Sequence, residues 1–382
     1  MDGGIRQVDV FPAQENEYPV VAWGVPKHGE KVAPVMINRP NVGDYDIKID
    51  MKYCGICHSD VHLARAELGG CVYPCVPGHE LAGVVAEVGS KVTKFKVGDH
   101  AGVGCMVDAC LECDSCKDGD ENYCEKRSVM TYSGEKRFKG VGGHPEQQTF
   151  GGYSKVHVVQ ERFCFNLPEA IPLEKAGPLL CAGITMWDPI RNFGATKPGV
   201  KKCIGIIGVG GLGTMGIKLA KALGHRVVAI SRSADKAELS KEKGADAFVV
   251  STNEEQMKSE TKQIDLILNT ISANHDCGIY LPLLKKDGKI VQLGACISPH
   301  PISQLPLMFN RISVAGSIIG GCPSTQEMVN FCADNKVFPD VELIEADKIE
   351  WAWDQLTNLN KDGIRYVIDI EKSAQNPNFL PK

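Results

Sequence analysis

The sequence predicts an α/β protein in which a doubly wound parallel sheet is inserted into a mostly β domain. The first ~180 residues consist of short β-like runs broken by glycine and proline, such as ELAGVVAEVGSKV. From Lys201 onward, apolar runs alternate with helical segments, a pattern typical of a parallel sheet covered by helices. After about residue 320 the pattern becomes mixed again. We therefore predict a first domain over residues 1–181, an inserted domain over 182–320, and a return to the first domain over 321–382.

The inserted domain can be followed segment by segment. KKCIGIIGV predicts a buried strand, and LGTMGIKLAKALG predicts a helix that ends at a glycine. HRVVAISRS and ADKAELSKEKGA repeat the strand and the helix, and DAFVV, IDLILNT and GKIVQLG predict further strands. FNRISVAGSIIGG contains a candidate edge strand, and the tail IRYVIDIEKS predicts a strand of the first domain.

Composition excludes several classes of function. The chain has 382 residues, a net charge of −5 and a pI near 6.1, whereas nucleic-acid binding favours a basic surface. No apolar run approaches the ~20 residues of a membrane helix, and the first residues do not resemble a signal peptide. Sixteen cysteines then indicate a reducing compartment, and we expect a cytoplasmic protein.

Four cysteines form a compact cluster in CLECDSCKDGDENYC, with the spacing C-x2-C-x2-C-x7-C. They are Cys110, Cys113, Cys116 and Cys124. Four thiolates from one short segment are typical of a closed, structural Zn²⁺ site. A disulfide framework is the alternative, although a chain of this length buries a large core without such cross-links.

A second set of metal-binding residue types is scattered along the chain. CGICHSDVH contains Cys54 and Cys57, PGHE contains His79 and Glu80, and CAGIT contains Cys181. Two thiolates and one imidazole leave a fourth tetrahedral position for water or substrate, which is typical of catalytic zinc. Spacing alone does not choose between the two cysteines of CGIC.

A dinucleotide site is predicted where the first strand of the inserted domain meets its helix. The match to G-x-G-x-x-G consists of Gly208, Val209, Gly210, Gly211, Leu212 and Gly213. The glycines permit a tight turn and close approach of a pyrophosphate to the helix N-terminus.

The end of the next strand indicates which dinucleotide binds. NAD-binding proteins usually place a carboxylate there, about 20 residues after the glycines, to hold the ribose 2′-hydroxyl. This chain has Ser231, Arg232 and Ser233, followed by Lys236. Hydroxyls and cations suit a 2′-phosphate, so we predict NADP(H).

The chain resembles the zinc-dependent medium-chain alcohol dehydrogenases. CGICHSD, PGHE, the four-cysteine segment, LLCAGIT and GVGGLG occur in the order found in that family. GVGC, GPLLCAGIT and AISRS look closest to its cinnamyl alcohol dehydrogenase branch, which prefers NADP(H). The resemblance implies a GroES-like catalytic domain, an inserted Rossmann domain, one catalytic and one structural zinc, and a homodimer.

The resemblance also implies roles for individual residues. It makes Cys57, His79 and Cys181 the catalytic zinc ligands, leaves Cys54 as a packing thiol, and puts Glu80 behind the metal. Ser59 matches the hydroxyl that takes the alcohol proton, and His62 matches the far end of the relay. Asp60 would orient the site from outside the ligand set. Two further matches concern the cofactor: His58 would contact its phosphate, and Thr185 would lie near the nicotinamide.

The expected activity is hydride transfer between NADP(H) and primary alcohols or aldehydes, aromatic or aliphatic. Cys124 is followed by EKRSVMTYSG, without the tryptophan of plant enzymes specialised for lignin precursors, so the implied substrate range is broad. Two alternatives stay open. One is a polyol or formaldehyde-type dehydrogenase, which Ser231 opposes because those members usually keep a carboxylate there. The other is a non-enzymatic zinc-binding interaction module.

Overall fold

The computed structural model describes residues 6–7, 16–67, 69–134, 148–296, 299, 301–358 and 363–381. The chain divides into two compact units. The first runs to Cys181 and resumes at Gly321, and the second covers Ala182–Gly320 and includes Gly363. Strands are numbered β1–β19 and α-helices α1–α11 along the chain.

The first unit is mostly β, as predicted. Its strands are β1 (Arg6–Gln7), β2 (Glu17–Gly24), β3 (Ala33–Pro40), β4 (Asp46–Gly55), β5 (Val72–Tyr73), β6 (Leu81–Val88), β7 (His100–Val103), β8 (Met106–Asp108), β9 (Val129–Met130), β10 (Val156–Gln160), β11 (Cys164–Asn166), β18 (Val341–Ile344) and β19 (Arg365–Asp369). The main described sheet has seven strands in the order β11-β7-β6-β4-β19-β18, and β10 also pairs with β4. Separate pairs are β1 with β5, β2 with β3 and β8 with β9.

Strand β4 organises this sheet. Its sequence DIKIDMKYCG places Ile47, Ile49 and Met51 at alternate positions, and all three side chains are buried. The strand pairs antiparallel with β6, β10 and β19, and the register places Cys54 opposite Leu81 and Ile368. These pairings fix the position of the end of β4, from which the next residues of the chain continue.

Helices complete the first unit. Among the described residues up to Cys181, no helix of this unit is longer than two turns. The α-helices are α1 (His58–Ala64), α2 (Asp114–Lys117), α3 (Leu173–Pro178), α9 (Cys322–Asn335), α10 (Ile349–Asn358) and α11 (Ile370–Ser373). Single 3₁₀ turns occur at Glu121–Tyr123, Glu161–Phe163, Ala346–Lys348 and Pro377–Phe379, and a π-helical turn at Leu179–Gly183.

The second unit confirms the predicted doubly wound sheet. Its strands are β12 (Cys203–Ile207), β13 (Arg226–Ser231), β14 (Ala247–Val250), β15 (Ile264–Asn269), β16 (Leu284–Gln292) and β17 (Ser313–Gly316). They pair in the order β14-β13-β12-β15-β16-β17, and every pairing is parallel. This is the strand order of the Rossmann fold, with β12 and β15 on either side of the point where the order reverses.

Helices and an apolar core surround this sheet. The helices are α4 (Ile184–Asn192), α5 (Gly211–Ala222), α6 (Ala237–Glu242), α7 (Glu254–Ser259) and α8 (Gln304–Asn310), with 3₁₀ segments at Ala234–Lys236 and Cys277–Leu283. Strands β12 and β15 are buried on both faces, which explains their continuous apolar sequences. The core cluster includes Ile207, Ile230, Ile267 and Ile290. Across the described residues, no helix is both long and apolar enough to span a membrane.

Candidate active site and metal centres

Cys57 is placed by the start of α1. It directly precedes the helix, and its backbone N–H donates to Asp60 Oδ2 at 2.8 Å. The N–H of Asp60 in turn donates to the Cys57 carbonyl at 3.1 Å. This reciprocal capping holds the Cys57 side chain at the helix start.

His79 and Glu80 are placed by a glycine that precedes them. Gly78 has φ +104°, and a Cβ there would lie 2.7 Å from the Tyr153 ring and 2.8 Å from Cys54 Sγ. The backbone therefore requires glycine at this position. Cys54 is fully buried against this turn and is not in the metal-type cluster described below.

Cys181 lies in the π-helical turn Leu179–Gly183, between α3 and α4. Such turns are rare and occur frequently at functional sites, because the extra residue redirects a side chain. Cys181 is the last residue of the first unit. The turn therefore brings its thiol to Cys57 and His79, which lie more than a hundred residues earlier in the chain.

These residues form one cluster. The candidate ligand atoms of Cys57, His79, Glu80 and Cys181 all lie within 4.8 Å of one another. The two sulfurs are 3.9 Å apart, and His79 Nε2 is 3.3 Å from Cys181 Sγ. A tetrahedral Zn²⁺ with Zn–S bonds of about 2.3 Å separates two sulfurs by roughly 3.8 Å. The donor set and its spacing therefore fit zinc.

Asp60 fixes the orientation of the imidazole. Its fully buried carboxylate lies 3.0 Å from His79 Nδ1 and accepts hydrogen bonds from the Gly78 N–H at 3.2 Å and the Tyr153 hydroxyl at 3.1 Å. With Nδ1–H donating to Asp60, the lone pair of Nε2 faces the two thiols. Asp60 thus contacts His79 from outside the candidate ligand set.

Glu80 is a buried carboxylate whose oxygens accept no hydrogen bond from any described residue. Burial raises the pKa of Glu80 to about 7, although the Arg365 guanidinium, 3.5 Å from Oε1, opposes this shift. A Cβ at Gly55 would lie 2.0 Å from Glu80 Oε2, so this glycine makes room for the carboxylate. Unsatisfied buried oxygens beside two thiols suit a bound cation.

Three further residues of this site were not predicted. The Tyr132 ring stacks on the His79 imidazole, with centroids 5.8 Å apart and an angle of 20° between the planes. The buried Cys105 thiol donates to the carbonyl of Leu180, the residue before Cys181, at 3.9 Å, and Arg365 donates to the Ile56 carbonyl at 3.0 Å. The GVGC motif could have pointed to Cys105, whereas no sequence motif points to Tyr132 or Arg365.

The predicted proton relay lies on α1. Ser59 Oγ is 3.7 Å from Cys57 Sγ, and Ser59 and His62 are three residues apart on the same helix face. The His62 ring stacks on His58 at 4.6 Å, and its Nδ1 contacts the carboxylate of Glu67. Glu67 was not predicted, and it extends the chain of polar groups to the protein surface.

The four-cysteine segment also forms a metal-type cluster. The sulfurs of Cys110, Cys113, Cys116 and Cys124 lie within 4.8 Å of one another, and those of Cys110 and Cys116 are 3.9 Å apart. Backbone N–H groups of Cys113 and Cys110 donate to Cys110 Sγ and Cys124 Sγ at 3.4 and 3.5 Å. All sixteen cysteines of the chain are free thiols, so the disulfide alternative is wrong.

The predicted dinucleotide loop joins β12 to α5. Gly208 has φ +89°, and a Cβ there would lie 2.6 Å from Thr270 Oγ1. A Cβ on Gly213 would lie 1.9 Å from the Gly208 carbonyl oxygen, so the helix packs directly on the turn. Gly210 precedes the helix, and Gly211 and Leu212 form its first turn, while Val209 is buried. The free amides at the start of α5 suit a pyrophosphate.

The predicted ribose-end residues follow the neighbouring strand. Ser231 ends β13, and Arg232 and Ser233 are exposed directly after it. Lys236 ends the 3₁₀ turn Ala234–Lys236. Ser233 Oγ donates to Asp235 at 3.1 Å, so one predicted hydroxyl already has a partner. Thr185 lies in the first turn of α4 and is buried.

The chain matches two protein-family models. Residues 43–169 match the alcohol dehydrogenase GroES-like domain, and residues 211–334 match the zinc-binding dehydrogenase domain. NADP-dependent alcohol dehydrogenase C 1 of Mycolicibacterium smegmatis is 46% identical over 92% of this chain and 97% of its own length.

Two solved structures resemble most of the chain. A cinnamyl alcohol dehydrogenase from Sorghum bicolor is 39% identical with a TM-score of 0.87, covering 93% of this chain and 99% of that one. CAD from Helicobacter pylori, complexed with NADP(H), is 37% identical with a TM-score of 0.84, covering 94% and 99%. The chain is therefore a member of the zinc-dependent medium-chain alcohol dehydrogenase family, in its cinnamyl alcohol dehydrogenase-like branch.

Proposed function

We propose that this protein is a zinc-dependent, NADP(H)-linked alcohol dehydrogenase that interconverts primary alcohols and aldehydes, aromatic or aliphatic. The observation that carries the proposal is the cluster of Cys57, His79, Glu80 and Cys181, whose candidate ligand atoms lie within 4.8 Å of one another. Two thiols and an imidazole leave one tetrahedral position for a substrate oxygen. The NADP-dependent relative and the NADP(H) complex of a structural neighbour support the cofactor.

In this proposal Cys57, His79 and Cys181 hold the catalytic zinc, and Asp60 keeps His79 Nε2 directed at it. Zinc supplies a Lewis acid that polarises an aldehyde and lowers the pKa of an alcohol. Glu80, whose two oxygens accept no hydrogen bond from a described residue, would lie beside the metal. The buried Arg365 guanidinium lies beside Glu80 and interacts electrostatically with both thiols, so it offsets the negative charge of the donor set.

The chain's own residues move the proton. Ser59, next to Cys57 Sγ, takes the alcohol proton during oxidation and returns it during reduction. His62 relays it through its two ring nitrogens, and Glu67, in contact with His62 Nδ1, receives it at the surface. His58 would meet the cofactor phosphate, and its ring stacks on His62.

NADP(H), which exchanges hydride with the substrate carbon, would be held by the loop from Gly208 to Gly213. Ser231, Arg232, Ser233 and Lys236 would hold the 2′-phosphate, and Thr185 would lie near the nicotinamide. Arg232 supports this proposal because its exposed side chain makes no ion pair with any described residue. A polyol or formaldehyde-type enzyme, with a carboxylate at the ribose, would use NADH, so the rates with the two cofactors distinguish that alternative.

The test is to measure initial rates of cinnamaldehyde reduction with NADPH and with NADH. We expect fast turnover with NADPH alone, abolished in Cys57→Ser while NADPH binding by fluorescence is retained. The control Cys332→Ser, a buried thiol that packs against Met328, should keep the wild-type rate. Equal rates with both cofactors would overturn the 2′-phosphate assignment. Full turnover in Cys57→Ser would overturn the metal assignment, and zinc-loaded protein without any aldehyde reduction would favour the interaction-module alternative.

We also propose that Cys110, Cys113, Cys116 and Cys124 bind a structural zinc. The closed four-sulfur cluster and its N–H···S bonds support this role, because no position is left for substrate. Sixteen free thiols support a reducing compartment, and we propose the cytoplasm.

A homodimer is proposed from one edge of the second unit. Strand β17 pairs with β16 on one side only among the described strands, which leaves backbone groups on the other side for a partner. The neighbouring helix α8 exposes Leu305, Met308 and Phe309, the last with 83% of its surface accessible. An open edge beside exposed apolar side chains suits a symmetric pairing of two copies.

Light scattering after size-exclusion chromatography tests the dimer. We expect twice the chain mass for the wild type and the chain mass for Phe309→Glu. Leu343→Glu, on an exposed position of β18, is the matched control and should stay dimeric. A dimeric Phe309→Glu variant would contradict this interface.

A further inference from the structure

Two buried cysteines lie side by side outside both metal clusters. Cys71 and Cys75 are fully buried, and their sulfurs lie 3.9 and 3.7 Å from the same hydroxyl, Ser133 Oγ. Their interaction also shifts the pKa values of the two thiols in opposite directions. Neither belongs to a candidate metal site. No sequence motif surrounds either cysteine, and both were expected to be packing groups, so their pairing is a finding of the structure.

The backbone around the pair is fixed on one side and adaptable on the other. The backbones of Cys75 and Val25 form two hydrogen bonds. The Cys75 N–H donates to the Val25 carbonyl at 2.9 Å, and the Val25 N–H donates to the Cys75 carbonyl at 2.8 Å. Cys71 follows Gly69 and Gly70, both with φ +72°, and a Cβ on Gly70 would meet no atom within 4 Å. Glycines in open space accommodate small changes of dihedral angle, so Cys71 is able to approach Cys75.

The environment gives the two sulfurs different chemical roles. The interaction between the two thiols lowers the pKa of Cys71 and raises that of Cys75, and burial adds to the increase at Cys75. This difference favours Cys71 as the sulfur that attacks an oxidant and Cys75 as the sulfur that completes the disulfide. Ser133 lies beside both sulfurs.

We propose that Cys71 and Cys75 are a reversible redox pair that a hydroperoxide converts to an intrachain disulfide. The Cys71 thiolate attacks one peroxide oxygen, the O–O bond breaks, and the departing hydroxide takes a proton to form water. The Cys75 sulfur then displaces hydroxide from the resulting sulfenic acid, and the thiol proton converts that hydroxide to water. Two thiols and one hydrogen peroxide thus give one disulfide and two waters, and a dithiol reverses the change.

The pair is connected to the candidate active site by short paths. Cys75 precedes the candidate ligand His79 by four residues, and Ser133 follows Tyr132, whose ring stacks on the His79 imidazole. A disulfide changes the contacts of both sulfurs with Ser133 and closes the loop from Cys71 to Cys75, which precedes His79 in the chain. We expect turnover to fall about ten- to a hundredfold, the cost of a displacement near 1 Å. This consequence rests on the proposed function, whereas the disulfide itself does not.

Trypsin isolates the pair in one peptide. Cleavage after Arg65 and Lys91 releases residues 66–91, in which Cys71 and Cys75 are the two cysteines. Zinc-loaded full-length protein is treated with hydrogen peroxide, alkylated with iodoacetamide, digested and weighed by mass spectrometry. We expect this peptide to lose two hydrogens and to take up no alkyl group, and dithiothreitol to restore two alkylation sites.

Matched variants make the outcome decisive. Cys75→Ser should leave Cys71 as an oxygenated acid without a disulfide, and Cys332→Ser should behave as wild type. Two alkylated thiols in peroxide-treated native protein would overturn the proposal, as would a disulfide that forms only after unfolding. Equal loss of turnover in wild type and Cys71→Ser would remove the link to the active site. Absence of turnover in every variant would instead count against the proposed function, since the peptide masses do not depend on it.

Discussion

The carboxylate of Asp60 provides the sharpest test of the catalytic centre. Its two oxygens face four donors: His79 Nδ1–H and Gly78 N–H at Oδ1, and Cys57 N–H and the Tyr153 hydroxyl at Oδ2. Asp60→Asn keeps the shape but replaces one oxygen with an NH₂ group. Whichever way the amide turns, one backbone N–H then faces another donor and loses its acceptor.

The magnitude follows from these contacts. A hydrogen bond to a buried charged group contributes about 1.5–3 kcal/mol, so the free energy of unfolding should fall by at least this amount. Loss of the carboxylate behind a histidine ligand typically weakens metal binding about 10- to 100-fold, or about 1.4–2.7 kcal/mol. Tyr153→Phe removes one donor and keeps the charge, so its effects should be smaller in both measurements.

The assay counts zinc retained per chain against increasing chelator, alongside urea unfolding of the zinc-loaded protein. We expect Asp60→Asn to lose one zinc at lower chelator concentration than wild type and to retain the other. Asp334→Asn, on the exposed face of α9, is the matched control and should match wild type. Unchanged zinc retention and unchanged unfolding in a folded Asp60→Asn protein would refute the positioning role.

Three further predictions concern separate parts of the molecule. Arg232→Ala should raise the KM for NADPH about 10- to 100-fold, through loss of a charge-assisted bond of about 1.5–3 kcal/mol, and leave NADH kinetics unchanged; equal effects on both cofactors would contradict the 2′-phosphate contact. Cys113→Ser should reduce bound zinc from two to one per chain and lower the melting temperature before it affects KM; a fully stable variant that lacks only activity would contradict a structural role. Gly55→Ala should lower kcat by displacing Glu80, whose Oε2 would lie 2.0 Å from the new Cβ. The rate should stay low under salt and pH conditions in which the variant is fully folded. Gly316→Ala, with no atom within 4 Å of its Cβ, is the control for that substitution.

Local patterns predicted most of the second unit. β12, the glycine loop and α5 are continuous in sequence, and apolar runs such as IDLILN are long enough to identify buried strands. The candidate metal cluster was predicted by motif order rather than by spacing, because CGIC offers two equivalent thiols. In the structure Cys54 is buried beside Gly78, whereas Cys57 lies in the cluster with His79 and Cys181.

The missed residues depend on contacts between distant parts of the chain. Arg365 donates to the carbonyl of Ile56, which lies 309 residues away, and no local pattern connects these positions. Tyr132 is one aromatic residue in a polar loop, and its packing on His79 depends on the path of the chain after β9. Glu67 lies just after α1. Its spacing of five residues from His62 can be read from the sequence, but such spacing is common at helix ends and does not by itself indicate a contact.

The pairing of β4 with β19 has a consequence for the order of synthesis. The segment carrying Cys57 leaves the ribosome early, but the strand beside it and the cation beside Glu80 come from residues 365–369. Most of the chain must therefore be translated before this sheet closes, and contacts this far apart form slowly. During that interval the thiols of Cys57 and Cys181 and the imidazole of His79 are exposed in the nascent chain. Zinc that binds them early would stabilise an incomplete sheet, so metal supply during translation should affect the yield of folded protein as well as its activity.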